Sequence, residues 1–261
     1  MENGSDMTTD IDLHREFTPP EALRGAIRCF WHSRRESHGP RFEIIPDGYA
    51  EVIFHFGNCY LDDNPLPSPF LMGLLNQPVV LITDGPLDVI GVRCYPWTVF
   101  DLLGLPPGRD GLRLIEHPVA QLQGALQACV AAGRVDEAVA LLAQYFLHAQ
   151  PAPLDSTLFK AGAAMLEARG ALAVSDVAAA AHATVRTLER KFKQSSGHTV
   201  KDVAGLMRFE QARNRLWLEP QTSLAALAQA LGYTDQSHLS REFKRYSSMT
   251  PSAFASQKRR R

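Results

Sequence analysis

The 261-residue chain contains no run of about 18 apolar residues, so no segment is suited to cross a membrane as a helix. Its four cysteines, Cys29, Cys59, Cys94 and Cys129, are widely spaced, and none forms a Cys-x-x-Cys pair. Zinc ribbons and thioredoxin-type chemistry therefore find no support. Four free, mostly buried thiols are expected, with a redox sensor as the alternative. Glycine (18) and proline (17) are too few for a fibrous or low-complexity protein. No phosphate-cradling glycine loop and no nucleophile–base motif occurs, and His32, His38 and His55 lack a compact ligand spacing. No metal, no cofactor and no enzymatic activity are expected. Residues Met1 to Glu16 are polar and acidic, without the basic start and apolar core of a secretion signal, so the expected compartment is the cytoplasm.

What is present is an ordinary globular composition, 45 % apolar and 21 % charged, which excludes global disorder. The net charge of −1 hides an asymmetry. Residues 1–154 carry 10 basic and 19 acidic side chains, whereas residues 155–261 carry 17 and 9. A basic half beside an acidic half points to a polyanion as partner of the former; two ordinary domains of unequal charge are the plainer alternative.

Gln150-Pro-Ala-Pro-Leu-Asp155 has two prolines and no periodicity, and marks a linker. Before it, from about Arg15 to Leu114, short β-like runs alternate with turn residues. Pro46-Asp47-Gly48 is a turn signal, Glu51 to Phe56 is rich in β-branched and aromatic residues, and Asp84-Gly-Pro86 reads as a turn between the runs 78–83 and 87–93. Strands at this spacing suggest a small barrel or sandwich. From Pro118 to His148 the pattern becomes helical. Val119, Leu122, Leu126 and Val130 form one stripe, Gly133 breaks it, and Val135, Val139, Leu142 and Phe146 form another. These two helices either cover the barrel or form a dimer interface.

The basic third contains an internal repeat. Leu188, Arg190, Phe192 and Thr199 recur as Leu239, Arg241, Phe243 and Thr250 at a constant offset of 51, and Val174, Val177 and Ala178 recur as Leu224, Leu227 and Ala228 at an offset of 50. Each unit reads as helix, tight turn, helix, with one extra residue in the second turn. The second helix of each unit begins at a polar cap, Thr184 in one and Thr234 or Asp235 in the other. Its Leu and Phe lie four residues apart and face inward. Outward stand Arg186, Glu189, Arg190 and Lys193 in the first unit, and Gln236, Ser237, Ser240, Arg241 and Lys244 in the second.

Arginine bonds guanine bidentately, glutamine does the same to adenine, and lysines hold phosphates. One such face is as readily a solvated surface; two with the same skeleton favour double-stranded DNA. Between the units, Thr199 and Asp202 make a capping-box variant, Val203, Leu206, Met207, Ala212, Leu216 and Trp217 supply apolar spacing, and Glu219-Pro220 ends the helix. Such a helix is about 28 Å long. One turn of DNA is about 34 Å. The helix thus suits two reading helices set in successive major grooves. Thr250-Pro251 opens a final helix before the basic end Lys258-Arg-Arg-Arg261.

The region 155–258 resembles the double helix-turn-helix domain of AraC/XylS-family transcription regulators. Its most specific stretch is Ala228-Gln-Ala-Leu-Gly232-Tyr233-Thr-Asp-Gln-Ser-His-Leu239-Ser-Arg241-Glu-Phe243-Lys244-Arg-Tyr … Met249-Thr250-Pro251-Ser-Ala-Phe254. The first unit departs at His182, where a small turn residue is common, at Val200, where proline is usual, and at Ala173, in place of a Ser/Thr cap. The resemblance implies base contacts from Arg186, Glu189, Arg190, Gln236, Ser237, Ser240 and Arg241. Glu189 either accepts from cytosine or repels phosphate while pairing with Arg186 or Lys193. Arg190 and Arg241 either read bases or anchor backbone.

Ile45-Pro46-Asp47-Gly48 … Glu51-Val-Ile-Phe54, Gly73, Gly91-Val-Arg93, Pro96 and Leu103-Gly104 resemble a cupin-like domain found ahead of such DNA-binding domains. This implies effector sensing or dimerisation, with Asp47, Glu51, His55 and Arg93 as candidate pocket residues. A tight turn at Pro46-Asp47-Gly48 and a barrel-end ion pair at Arg93 are the structural alternative.

The expected class is α+β. It comprises a flexible tail (1–14), a β-rich sensor or dimerisation domain (15–115), two connecting helices (116–150), a linker (151–155), a DNA-binding domain (156–258) and a basic tail (259–261). Expected partners are promoter DNA, RNA polymerase, a small-molecule effector and a second copy of the chain, with no membrane. A cupin-type enzyme carrying a DNA-binding appendage is the alternative function.

Overall fold

A computed structural model describes residues 13–36, 41–109, 111–149 and 155–259, with the backbone alone for Lys258 and Arg259. Most of the expected linker and tails lies outside these residues, but Leu13 and His14, expected in the tail, belong to the first strand. Among the described residues, eight strands form one antiparallel sheet: β1 (Leu13–Phe17), β2 (Ile27–Arg35), β3 (Arg41–Ile44), β4 (Ala50–Leu61), β5 (Asn64–Pro65), β6 (Phe70–Met72), β7 (Val79–Cys94) and β8 (Leu112–Leu114). Their order is β1-β2-β7-β4-β6-β8, with β3 on β7 and β5 on β4.

The expected turn at Asp84-Gly-Pro86 is not a turn. β7 runs through it and stays paired with β4 on both sides, from Ala50↔Cys94 to Tyr60↔Ile82. The turn-like residues instead mark a bend. The register slips between Phe56 and Asn58, where Gly57 has φ 139°, and a Cβ there would stand 2.6 Å from the Pro86 carbonyl oxygen. A glycine on one strand and Gly85 (φ 88°) on the other let a long ribbon curl back without ending.

Alternation along β4 separates two cores. Ala50, Val52 and Phe54 pack with Phe30, Ile90 and Val92 beneath α1 (Val99–Leu103), α2 (Gln123–Ala131) and α3 (Val135–His148). Val119, Leu126, Val130, Val139, Leu142 and Phe146 from the two expected helical stripes are buried in this core, so α2 and α3 cover the sheet. On the other face Ile53 packs with Phe70, Met72, Leu75, Leu81 and Leu87. All four cysteines are buried and free.

Among the described residues, seven helices follow: α4 (Ser156–Glu167), α5 (Val174–Ala180), α6 (Val185–Ser196), α7 (Val200–Leu218), α8 (Leu224–Ala230), α9 (Gln236–Ser247) and α10 (Pro251–Arg259). The repeat is realised as expected, since α5 and α8 are offset by 50 residues and α6 and α9 by 51. The extra residue settles the second cap: Asp235, and not Thr234, accepts from the His238 N–H. Thr184 caps α6, Ser223 caps α8, and Ala173 at the head of α5 supplies no side-chain bond. Thr199 and Asp202 form both halves of the capping box on α7, which is 19 residues long.

The sheet is docked on the first unit through the loop after β7. Trp97, 3 % exposed, stacks on Tyr95 at 5.3 Å, lies 5.8 Å from the Phe192 ring and covers Gly162 of α4 so closely that a Cβ there would be 2.1 Å away. Arg109 donates to the Gly197 carbonyl at 2.8 Å and to Asp202 at 3.1 Å, joining the same sheet-bearing half to the start of α7.

His182 occupies the left-handed position (φ 51°) that Gly232 (φ 73°) holds in the second unit. A side chain with a Cβ is strained there, and the imidazole is exposed. His182→Gly is therefore expected to stabilise the chain by about 0.5–1 kcal/mol in urea unfolding; an unchanged or lower midpoint would refute strain at this turn.

Candidate nucleic-acid interface and sheet cavity

α6 and α9 carry the outward residues read from the sequence. Leu188 and Phe192 on one, Leu239 and Phe243 on the other, are fully buried and fix which side of each helix faces out. Arg186, Arg190 and Lys193 are exposed on α6; Gln236, Ser237, Arg241 and Lys244 are exposed on α9, with Ser240 partly so. Arg190 donates to Gln194 at 3.4 Å, one turn along its helix. Glu189 is held by a backbone contact. Its carboxylate accepts from the Val200 N–H at 3.4 Å, at the N-terminus of α7, where negative charge is favoured. Val185, 44 % exposed at the first turn of α6, is a residue of this face that sequence reasoning missed, because an apolar side chain there carries no polar signal.

The second site lies on the other face of the sheet. A cavity of about 900 Å³ is lined by β2, β3, β4, β6 and β7, and also by Arg213, Asn214 and Trp217 of α7 and Phe254 and Gln257 of α10. Its walls are mainly apolar, with Trp31, Ile53, Phe70, Met72 and Val89 among them. Asp47, Glu51, His55 and Arg93 all line it.

Arg93 is shared between two carboxylates, Glu51 at 2.5 Å and Asp47 at 3.2 Å. Burial pushes the Glu51 carboxyl up, against the opposing pull of the Arg93 guanidinium, while the Asp47 charge adds to the rise. Arg93 itself is held above its ordinary value: burial works against its charge, but Glu51 and Asp47 outweigh it. Asp47 also accepts from the Tyr49 N–H at 2.9 Å, so the turn and the ion pair expected as alternatives to a pocket coexist with it. His55 is bound into the scaffold, its ring nitrogens facing the carbonyls of Gly57 at 3.1 Å and Leu66 at 2.9 Å. Across the seam, Glu210 of α7 is raised by burial and by the nearby Asp47 charge.

The α7 and α10 residues were not legible as cavity walls. Arg213 and Trp217 do stand four residues apart on α7, but a linking helix gives no sign of what its outer stripe meets.

Two family models match the chain. One, described as a helix-turn-helix domain, matches residues 177–257; the other, a domain of unknown function (DUF6597), matches residues 15–109. No curated protein matches the chain. Among solved structures, ToxT from Vibrio cholerae is 11 % identical, covering 87 % of this chain and 98 % of its own, with a TM-score of 0.49. A transcriptional regulator with an AraC-type DNA-binding domain from Chromobacterium violaceum is 25 % identical over 39 % of this chain and 91 % of its own, with a TM-score of 0.35. The DNA-binding domain of AdpA, solved in complex with a target DNA, is 23 % identical over 41 % and 95 %, with a TM-score of 0.37.

Asp202, at the head of α7, provides a test of the frame that carries both sites. Burial alone would raise its carboxyl, but the Thr199 bonds and the Arg109 charge hold it below its ordinary value of 3.8. A depressed folded-state value stabilises the protein above that ordinary value and stops doing so as the pH falls through the depressed one. Asp202→Asn is expected to unfold at lower urea than the parent at pH 7, with the gap closing as the pH drops below 3.8. A gap independent of pH would contradict this.

Proposed function

We propose that this chain is a DNA-binding transcription regulator of AraC type, in which α6 and α9 enter successive major grooves while the sheet cavity holds a small-molecule effector. The observation that carries the first part is the exact repetition of cap, buried Leu–Phe pair and outward arginine in two helices joined by one 19-residue helix. Arg186 and Arg241 are the base readers of this reading, Gln236 addresses adenine, and Lys193 and Lys244 hold phosphate.

The cavity supports the second part. Its size suits one small molecule. Its apolar walls favour an apolar body, and the Asp47–Arg93–Glu51 cluster with Arg213 offers polar groups at the seam with α7. An occupant touches α7 and α10 directly, so its binding energy depends on how the DNA-binding helices sit against the sheet.

We read the chain as non-enzymatic. The cavity does hold a serine against a histidine, Ser33 Oγ to His14 Nδ1 at 2.7 Å. These residues are direct partners in the β1–β2 register, which brings any such pair together. Glu16 stands 3.8 Å from the other ring nitrogen, beyond hydrogen-bond reach.

Selection of random DNA by the full chain at near-physiological salt is expected to return an asymmetric motif of two boxes about one helical turn apart. Failure to enrich any sequence would overturn the reading. Arg241→Ala is expected to cost about 1–3 kcal/mol on the selected site and to relax preference at one base; uniform weakening on all sequences would make Arg241 a phosphate anchor. For the cavity, native mass spectrometry with small molecules of mixed apolar and charged character should find one-to-one adducts that Val89→Trp removes. Adducts that survive that substitution would place the ligand elsewhere.

A further inference from the structure

The two reading units do not merely hang from the ends of α7; they touch, and one buried guanidinium lies at the contact. The α4–α5 turn of the first unit packs between α7 and the α8–α9 turn of the second. A Cβ on Gly170 in that turn would stand 2.4 Å from the Ala204 carbonyl oxygen of α7, and a Cβ on Gly232 would stand 3.2 Å from the Ala171 carbonyl oxygen. Arg208, in the middle of α7 and 8 % exposed, reaches both sides. One Nη donates to the Gly170 carbonyl at 2.9 Å. The other stands 3.5 Å from Glu242 of α9, the residue next to Arg241. Its guanidinium lies 5.2 Å from the ring centre of Tyr233, in the second turn. Glu242 is in turn 3.7 Å from His238 of the same helix.

A buried ion pair adds little net stability over an apolar pair of similar size. What the planar fork of an arginine supplies is direction: it meets a carbonyl, a carboxylate and an aromatic face in one fixed geometry, which a lysine cannot reproduce. We infer that Arg208 is a positioning residue that sets the angle and spacing of α9 relative to α6, so that both helices engage one DNA face at once. The inference rests on the two-groove reading above.

Joining two binding modules raises affinity about 10²–10⁴-fold over either alone, and the gain disappears when the geometry forbids simultaneous engagement. The test uses the full chain, with two-box and isolated-box DNA taken from the selection on the parent protein and with a spacer randomised in length. Arg208→Met alone leaves Glu242 unpaired, so the decisive variant is Arg208→Met with Glu242→Met, which removes both charges and keeps the volume. It is expected to unfold at a temperature close to the parent's and to bind isolated boxes within about twofold of it. Its affinity for the two-box site should fall at least about tenfold, with a broadened spacing preference. Arg208→Lys should fall between the two. A double variant that keeps the parent's two-box affinity and spacing preference would overturn the inference. A parent protein that selects no two-box motif would instead overturn the reading on which it rests.

Discussion

The burial of α7 is the constraint on which the rest of the molecule depends. Val200, Val203, Phe209, Ala212 and Leu216 are fully buried, and between them Ala204, Gly205, Leu206, Met207 and Arg208 are buried as well. From Val203 to Phe209 the helix is covered all round, and there it must be met on every side. α9 and α10 pack on it, and so do the α4–α5 turn, through Gly170, and the sheet, through Gly48, whose Cβ would stand 3.2 Å from the Met207 side chain. Moving any one of these neighbours exposes apolar surface or opens a void, so α7 couples them mechanically.

That coupling links the two sites. The cavity takes part of its wall from the C-terminal half of α7, and α6 and α9 take their spacing from the same helix. The side chains at the seam are charged: Asp47 and Arg93 on the sheet side, and Arg213 of α7, all stand near Glu210 of α7. Charges at low exposure interact strongly, and misplacing them is costly, so this seam has a preferred geometry. The Trp97 contact with Gly162 and Phe192 acts at the other end of the seam, tying the sheet to the first unit alone.

The helices of the second half were legible because their signals are local. Capping residues, a Leu–Phe pair at i and i+4, and a repeat offset that changes by one between its halves need no knowledge of distant contacts. The strands were legible in kind but not in extent. Asp84-Gly-Pro86 carries the residues of a turn, and only the pairing of β7 with β4 on both sides of it makes a bend of it. Likewise the contact of Glu189 with the N-terminus of the following helix, brought back by the turn at Gly197, leaves no trace in the sequence.

The sequence by itself determined the α+β class, the doubled helix-turn-helix, its caps and its outward basic face, because each follows from periodicity and short-range hydrogen bonding. It also placed Asp47, Glu51, His55 and Arg93 together as a group. Only the tertiary structure decided that α7 and α10 line the cavity, that Trp97 completes the core of the first unit, and that Arg208 joins the two units. Those are contacts between residues many positions apart, and long-range packing leaves no periodic trace in a chain from which it could be read.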